Sequence, residues 1–364
     1  MNHEDTKKTR RHKAERIRRM KVATIGKRML GLAVLSLLII PGLQAQKVGS
    51  TSMQFLKVMP VARATALGEA YSVWASGAEA VFWNPGGVAR VNGHEISTTY
   101  IDWLFDTQQG AISYALSLGD LGALGFQFQY VDFGIFEETS NARPFINDPN
   151  GPGLTGRTFR PFSYLMGVTY ARYLTDRFSV GFAVKFVHES LFDGQQVAVI
   201  SPGFSGNVDT WANGILFDFG IRYNTGFRSV HVATSVQNFG ADVRFARESS
   251  PVPLLFRFGI AADLLGENAL LVSGHQGSSL RTAFDIFHPN DYSQQAHIGL
   301  EYEFDGFLFV RAGYKANYDY EGFTFGGGLR QTVANVGLSL DYSYGPMGTY
   351  LSGAQRITIG AIIP

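Results

Sequence analysis

The chain has 364 residues, no cysteine and nearly balanced charges, with 31 Lys and Arg against 30 Asp and Glu. Without cysteine it can form neither a disulfide framework nor a thiolate metal site. Eleven basic and three acidic residues precede position 46, so the remainder holds 20 basic against 27 acidic residues and has a net charge of about −7, with no basic patch for nucleic acid. The 42 Gly, 29 Phe and 16 Tyr suit a membrane β-barrel with aromatic girdles.

The first 45 residues have the three parts of a secretory signal peptide. A basic stretch, Lys7–Arg28, is followed by the 12-residue, mainly apolar run Met29–Ile40 and then by a short segment that ends at Ala45. Twelve apolar residues are too few to span a bilayer, which needs ~20. We therefore predict cleavage near Ala45, with Met20 as an alternative start that would make residues 1–19 a mis-start. The rival interpretation of the basic stretch is a nucleic-acid-binding arm.

Residues 46–93 lack strand periodicity and have the pattern of short helices. Small residues from Ala62 to Tyr71, and again from Ala78 to Phe82, favour helix, and Asn84-Pro85-Gly86-Gly87 breaks the chain after them. A wide barrel cannot be filled by wall side chains alone, so we predict that this segment is a plug inside the barrel. The alternative is a periplasmic N-terminal extension outside the barrel.

From residue 94 onward, apolar and polar residues alternate with the period of two that a strand imposes. In 336–344 the even positions carry Val, Leu, Leu, Tyr and Tyr, and the odd positions carry Gly, Ser, Asp and Ser. Repeated after a secretion signal, this pattern is typical of an outer-membrane barrel. We predict an all-β fold, a 14-stranded antiparallel transmembrane β-barrel over 94–364 with a short helical N-terminal plug. The predicted strands are 94–102, 107–118, 120–134, 160–174, 177–190, 211–223, 228–238, 253–265, 268–276, 294–304, 307–318, 322–330, 334–344 and 355–363.

The predicted connections alternate in length. With a periplasmic N-terminus, the periplasmic connections are short turns such as Gly119-Asp120 and Asp305-Gly306, and the long connections all fall on the outer side. Outer-membrane barrels have this asymmetry, and an even number of strands returns the C-terminus to the periplasm. The predicted outer connections include 135–159, 191–210, 239–252, 277–293 and 345–354.

Charged residues on the polar phase of the strands are predicted to face the lumen. They either line a pore or pair with one another and anchor the plug, and their mixed signs argue against a strongly ion-selective channel. In the plug, Arg63 is expected to pair bidentately with a lumen carboxylate, and Glu69 with a wall arginine. Trp83 is expected to pack against the wall, with Asn84 and Pro85 fixing a turn. The predicted lumen charges are Lys185, Asp218, Arg222, Arg257, Asp263, Glu301, Glu303, Arg311, Lys315, Asp341 and Arg356.

Signals for catalysis or metal binding are weak. The eight His are scattered, without metal-ligand spacing. His188-Glu189-Ser190 holds base and nucleophile types, but adjacent strand residues point to opposite faces. Gly326-Gly327-Gly328 lies within a strand pattern and predicts close backbone approach or a bend rather than phosphate binding. The loop Asp148–Gly153 lacks the acidic spacing of a known calcium loop. We therefore expect no enzyme activity, no metal and no cofactor.

The long outer connections carry aromatic residues. Exposed aromatics on a polar rim suit a protein-binding face, although aromatics near strand ends also form the interfacial girdle. We interpret Phe159 and Trp211 as girdle residues and the loop centres as a protein-contact surface. The aromatic residues in and around the first two long loops are Phe136, Phe145, Phe159, Phe192, Phe204 and Trp211.

Four stretches of the plug carry a family resemblance: Gly49–Lys57, Ala62-Arg63, Gly68-Glu69-Ala70 and Phe82-Trp83-Asn84-Pro85-Gly86-Gly87. They resemble the opening of the PorV/PorQ family of outer-membrane proteins, which belongs to the wider FadL-like group of fourteen-stranded barrels. The resemblance continues through Tyr100-Ile101-Asp102-Trp103, and beyond about residue 135 it is one of architecture only. The family usually has Ala where Gly86 stands.

The resemblance implies non-catalytic participation in type IX-like protein secretion from the outer membrane. PorV-type barrels receive cargo after translocation and hand it to a surface attachment complex. The implied partners are outer-membrane lipid and either secreted cargo proteins or a surface attachment protein. FadL-type relatives instead pass hydrophobic small molecules into the barrel and out sideways, and this transport is the alternative. It predicts an apolar pocket between plug and wall that opens through a gap in the barrel side.

Overall fold

Fourteen antiparallel strands close into one barrel. The computed structural model describes residues 48–140, 153–201, 204–349 and 351–364, so the predicted signal peptide lies outside the described residues. The first strand pairs with the last, from His94 opposite Ile363 to Asp102 opposite Gln355, and this ladder closes the ring. The barrel strands are His94–Asp102 (β1), Gln108–Ser117 (β2), Ala123–Asp132 (β3), Phe162–Thr175 (β4), Phe178–Ser190 (β5), Trp211–Asn224 (β6), His231–Gly240 (β7), Leu255–Gly266 (β8), Ser278–Pro289 (β9), Gln295–Phe304 (β10), Leu308–Ala316 (β11), Phe323–Val333 (β12), Val336–Gly345 (β13) and Ala354–Ile363 (β14).

The alternation predicted from the sequence sets the two faces of the wall. In β3, Phe126, Phe128 and Tyr130 are exposed on the outer surface, whereas Gln127 and Gln129 are buried inside. An outer surface of large apolar side chains matches the hydrocarbon core of a membrane, and strands of 9 to 14 residues are long enough to cross it when tilted. In the described part of the chain, no helix is both long and apolar enough to span a bilayer.

The ninth strand lies at Ser278–Pro289 and not at the predicted 268–276. The apolar–polar alternation does not predict this strand, because the polar Thr282 and His288 face outward and the apolar Phe287 faces inward.

The position of β9 also corrects two predicted connections. Residues 267–277 form a long connection at the periplasmic end, and residues 290–294 form a short outer one. The predicted long outer connection at 277–293 is therefore wrong, and so is the rule that every long connection lies on the outer side. The number of barrel strands is unaffected. Within the predicted 268–276, only the two residues Val272–Ser273 form a strand, which pairs in parallel with the end of β8 and is too short to cross a membrane.

Three outer connections continue as two-stranded hairpins beyond the barrel rim. They occupy parts of the predicted long outer connections. The hairpins pair Phe136–Ser140 with Gly153–Phe159, Gln196–Ser201 with Phe204–Asp209, and Val243–Phe245 with Glu248–Ser250.

The segment before β1 lies inside the barrel, and most of its residues from 51 to 91 are buried. We call residues 51–91 the plug. Its first α-helix contacts β11 to β14, and its last 3₁₀ helix contacts β3 to β6, so the plug spans the lumen from one wall to the other. Its elements are the 3₁₀ helix Gln54–Lys57, the α-helix Ala62–Ala66 (α1), the 3₁₀ turn Gly77–Glu79, the α-helix Ala80–Trp83 (α2) and the 3₁₀ helix Pro85–Arg90.

Glycines on the inner wall allow the plug backbone to touch strand backbone. A Cβ atom at Gly313 would lie 2.0 Å from the Gly68 nitrogen, and one at Gly181 would lie 2.2 Å from the Pro85 carbonyl carbon. Real Cβ atoms are not found at such separations, so these wall positions accept only glycine without a shift of the plug. Gly326 makes a similar close approach to α1, as its place in the triple-glycine strand predicted.

Candidate functional site

The plug begins at the outer mouth of the barrel, where one carboxylate holds it. Ser52 donates its backbone N–H to the Pro251 carbonyl at 3.0 Å. Asp291 Oδ2 accepts from Thr51 Oγ1 at 2.6 Å and from Lys57 Nζ at 2.5 Å. Burial alone would raise the pKa of Asp291, but these donors outweigh it and hold that pKa below its ordinary value. Asp291 is therefore charged at neutral pH and ties the start of the plug to the outer rim.

Arg63 connects α1 to a buried charge cluster on the wall. Its Nε and Nη2 donate to the two oxygens of Glu301 at 2.9 and 2.8 Å. Arg311 donates to the same Glu301 at 2.6 Å and to Asp341 at 2.6 Å, and Arg281 approaches Glu301 at 3.3 Å. Three arginines thus share two buried carboxylates, and Glu301 is the anion common to all three.

Glu69 forms the second charged contact between plug and wall. Lys315 Nζ donates to Glu69 Oε1 at 2.6 Å, and Arg257 Nη2 lies 3.5 Å from Oε2. The guanidinium of Arg257 is fully buried between the rings of Trp83, at 4.9 Å, and Phe287, at 4.1 Å. The wall arginine expected beside Glu69 is thus present, but the shorter bond comes from a lysine.

The turn at the end of α2 is fixed by one side chain. Asn84 Oδ1 accepts from the Gly86 N–H at 3.0 Å, and its Nδ2 donates to the Ile221 carbonyl of β6 at 3.1 Å. Pro85 occupies the first position of the following 3₁₀ helix, where its missing N–H costs nothing. A Cβ atom at Gly86 would lie 2.9 Å from the Gly220 carbonyl oxygen, so this turn also rests directly on strand backbone.

Two further predicted lumen charges pair with each other. Lys185 Nζ lies 2.7 Å from Asp218 Oδ1, and both side chains are buried. Asp218 also accepts a hydrogen bond from the Asn238 backbone N–H at 2.8 Å. The ion pair therefore links β5 to β6, and the hydrogen bond links β6 to β7. Arg222 instead reaches the plug, where its Nε donates to the Val73 carbonyl at 3.1 Å.

Asp263 and Glu303 lie half-buried at the periplasmic end, away from the Glu301 cluster's centre. Both face Arg281, at 3.7 and 2.9 Å. They form the periplasmic edge of the same cluster, where contact with water weakens each ion pair.

A pocket of about 310 Å³ lies between the plug and the wall near the outer mouth. We call it the outer pocket. At its rim, Tyr292 donates to Asp319 at 2.5 Å, and this bond raises the pKa of Tyr292 to about 12. Large aromatic and apolar side chains form much of the pocket lining, and charged groups lie among them. The lining includes Trp103, Leu104, Phe287, Pro289, Tyr318, Tyr320, Met347 and Leu351, with Lys57, Glu69, Lys315, Glu321 and Arg356.

A larger and more polar cavity of about 530 Å³ lies on the periplasmic side of the plug. We call it the inner chamber. Arg63, Glu79, Glu95 and Arg330 contribute to its lining, and Tyr71 donates to Glu79 at 2.7 Å. Because Arg63 borders the inner chamber and Glu69 borders the outer pocket, the short segment that contains α1 separates the two cavities.

Sequence reasoning missed two residues of the plug–wall contact because it misplaced β9. Asp285 accepts the backbone N–H groups of Tyr71 and Ser72 at 3.1 and 2.9 Å. Arg281 is the third arginine of the Glu301 cluster. Arg281, Ala283 and Asp285 alternate as charged or small residues, which is the signal by which the inner face of this strand could have been found.

The weak enzyme signals do not come together. His188 meets Asn213 at 2.6 Å on the exposed side of the wall, whereas Glu189 accepts from Ser163 at 3.3 Å on the other side. The described residues contain no group of three or more side chains placed to hold a metal ion. The calcium-loop alternative at 148–153 falls mainly in 141–152, outside the described part of the chain.

The aromatic residues of the outer connections form a cluster on the rim. The Phe159 ring lies 5.6 Å from that of Phe136 and 4.7 Å from that of Phe192. Phe145 and the side chain of Phe204 lie outside the described residues. The assignment of the loop centres to protein contact stays a prediction.

No protein-family model and no curated protein matches this chain. Among solved structures, it is similar to the toluene transporter TodX of Pseudomonas putida, with a TM-score of 0.53 and 14% identity over 84% of this chain and 97% of TodX. The CymD monoaromatic hydrocarbon channel gives a TM-score of 0.50 and 13% identity over 84% and 96%. A FadL homologue of Pseudomonas aeruginosa gives 0.45 and 12% over 83% and 98%.

Identities this low bear on the fold alone. The neighbours at TM-scores of 0.50 and above match nearly their whole length, so the similarity covers the complete barrel and not a set of strands. The chain therefore has the fold of the FadL-like, fourteen-stranded outer-membrane barrels.

Proposed function

We propose that this barrel transports small hydrophobic molecules across the outer membrane. The observation that carries the proposal is the outer pocket, which is concave, rich in aromatic side chains and placed near the outer mouth between plug and wall. Ligand sites are commonly pockets of this kind, with a few polar groups among apolar ones. The neighbours TodX, a toluene transporter, and CymD, a monoaromatic hydrocarbon channel, support a ligand of this class.

The two cavities suggest the route. The outer pocket and the inner chamber lie on opposite sides of the segment from Arg63 to Glu69, so a shift of this short segment would join them. Neighbouring barrel strands in the described chain are all paired, without a missing ladder, so the sideways gap expected for FadL-type transport is not seen there. The proposed path therefore runs past α1 toward the periplasm.

A reversible lock on α1 tests the proposal. Thr65 Oγ1 of α1 lies 2.7 Å from Ser343 Oγ of β13, so a Thr65→Cys/Ser343→Cys pair would bring two sulfur atoms within bonding reach. The chain has no other cysteine to interfere. We would measure uptake of radiolabelled toluene by cells that express the barrel. Uptake should exceed that of empty cells, fall in the oxidised double variant and return after reduction.

The single-cysteine variants are the matched controls and should transport normally under oxidising conditions. Uptake equal to that of empty cells would refute transport of this ligand class. Uptake that persists in the oxidised double variant would leave transport standing but would place the route away from α1.

Participation in type IX-like secretion is the second candidate. It is supported by the PorV/PorQ-like residues of the plug and by large apolar side chains on the outer rim, where Phe105 is 78% and Tyr320 70% exposed. An affinity pull-down of the tagged barrel from solubilised outer membranes, with mass spectrometry, tests it. Co-purified secreted proteins with a shared C-terminal sorting domain, or a surface attachment protein, would favour this role. Recovery of the barrel with bound hydrophobic compounds alone would count against it.

A further inference from the structure

Arg356 is a buried cation that makes no direct ion pair with a carboxylate among the described residues. Its side chain lines the outer pocket, and only 5% of the residue is exposed. Its Nε donates to the Met59 carbonyl at 3.2 Å, and its guanidinium lies over the Trp103 ring at 5.1 Å. Among the described residues, no Asp or Glu oxygen lies within 4.0 Å of its nitrogens. The nearby carboxylates of the lining, Glu69 and Glu321, are both bound by Lys315. A buried charge without a directly paired counterion is costly, so this arrangement favours an anion from outside.

The other charged groups around the outer pocket already have partners. Lys57 pairs with Asp291, and Lys315 pairs with both Glu69 and Glu321. An incoming anion would therefore displace an existing ion pair everywhere except at Arg356. Among the described cations of this lining, only the guanidinium of Arg356 can bind an anion without displacing an existing ion pair.

The rest of the lining restricts the remainder of the ligand. Trp103, Phe287 and Tyr318 present aromatic rings, and the volume of about 310 Å³ is at the small end of the range for ligand pockets. Aromatic side chains favour stacked or edge-on contact with another ring. A single ring with one acidic group fits both the size and the chemistry of the site.

We infer that the outer pocket binds a small aromatic carboxylate, with the carboxylate on Arg356 and the ring among Trp103, Phe287 and Tyr318. This inference rests on the proposed function, because it names the ligand class for the same pocket. The guanidinium offers paired N–H groups to the two oxygens of a carboxylate, which a neutral ring cannot use.

The test is isothermal titration calorimetry on the full-length barrel in detergent at neutral pH. The probes are benzoate, the neutral benzyl alcohol and the alkyl carboxylate hexanoate. A hydrogen-bonded charge contact should make benzoate bind about tenfold or more tightly than benzyl alcohol. Arg356→Gln should remove this preference while leaving benzyl alcohol binding and the melting temperature unchanged, and Arg356→Lys should restore part of it. Arg330→Gln, which removes an arginine of the inner chamber, is the matched control and should bind as the wild type does.

Each outcome decides a separate point. Equal or tighter binding of benzyl alcohol would overturn the carboxylate assignment while leaving hydrophobic transport in place. Tighter binding of hexanoate than benzoate would overturn the aromatic part. An unchanged benzoate preference in Arg356→Gln would overturn the role of that residue. If no probe binds and toluene uptake also equals that of empty cells, the proposed function fails together with this inference.

Discussion

Neutralising Glu301 should release the plug from the wall. Glu301→Gln keeps the shape of the side chain but removes the negative charge that Arg63, Arg311 and Arg281 share. Arg311 retains Asp341, whereas no carboxylate oxygen of the described residues other than those of Glu301 lies within 4.0 Å of the Arg63 nitrogens. Breaking one partner of a buried pair costs about 3–5 kcal/mol. Because Gln can still accept a hydrogen bond, we expect a loss of about 3 kcal/mol in the free energy of unfolding.

Two assays separate loss of the plug from loss of the barrel. Urea unfolding in detergent, followed by tryptophan fluorescence, gives the change in the free energy of unfolding. Limited proteolysis of the folded protein reports whether the plug has come loose, and new cleavage between residues 51 and 91 is expected in Glu301→Gln. The barrel strands should stay resistant, because their ladders do not depend on this charge.

Glu303→Gln is the control because Glu303 lies two residues away on the same strand and meets Arg281 alone among the described cations. It is half-buried, so its loss should cost less than about 1 kcal/mol. If Glu301→Gln were no less stable than Glu303→Gln, and its plug equally resistant to protease, the cluster would not anchor the plug.

Three further predictions concern the plug and its seat. Gly313→Ala should lower the free energy of unfolding by about 1–3 kcal/mol in the same urea assay, because the new Cβ would overlap the Gly68 nitrogen. Gly110→Ala is the control: its new Cβ would meet nothing within 4 Å, so the free energy of unfolding should change by less than about 0.5 kcal/mol. Asn84→Ala should lower the free energy of unfolding by about 1–3 kcal/mol, since it removes the hydrogen bonds to the Gly86 N–H and to the Ile221 carbonyl of β6. An unchanged urea midpoint would contradict the role of this turn. Because the folded pKa of Asp291 is lowered, its stabilising contribution is complete above the ordinary value of 3.8 and is lost as the pH falls through the folded value. Pepsin should therefore begin to cut the start of the plug only below pH 3.8, whereas Asp291→Asn should be cut at every acidic pH tested.

The barrel itself could be predicted because membrane strands repeat a simple rule. Outward side chains meet lipid and inward ones meet water or the plug, so the period of two is visible in most strands. The rule failed at β9, where Phe287 points inward to cover Arg257. A strand that points an aromatic residue into the lumen looks less amphipathic, and the remaining signal in its sequence is the run of charged or small residues Arg281, Ala283 and Asp285.

The sequence predicted which plug residues bind the wall, but not which wall residues they pair with. Arg63 and Glu69 stand out in the sequence because they are charges among small residues, and the structure pairs them with Glu301 and Lys315. Nothing in a single chain tells which wall charge meets which plug charge, since that depends on strand register and on the depth of the plug. A pocket between plug and wall was predicted under the transport alternative, but its lining was not, because Trp103, Tyr318 and Met347 come from three separate outer connections.

The path of the plug across the lumen bears on the order of assembly. Pro85–Arg90 rests on β3 to β6, which are made early, whereas α1 rests on β11 to β14, which are made last. We expect α1 to remain unseated until the final strands arrive, so that its docking coincides with the closing of the seam between β1 and β14. A chain that ends after β10 should then protect residues 85–90 from protease but leave α1 open to cleavage. The plug would thus act as the template around which the two ends of the sheet are brought together.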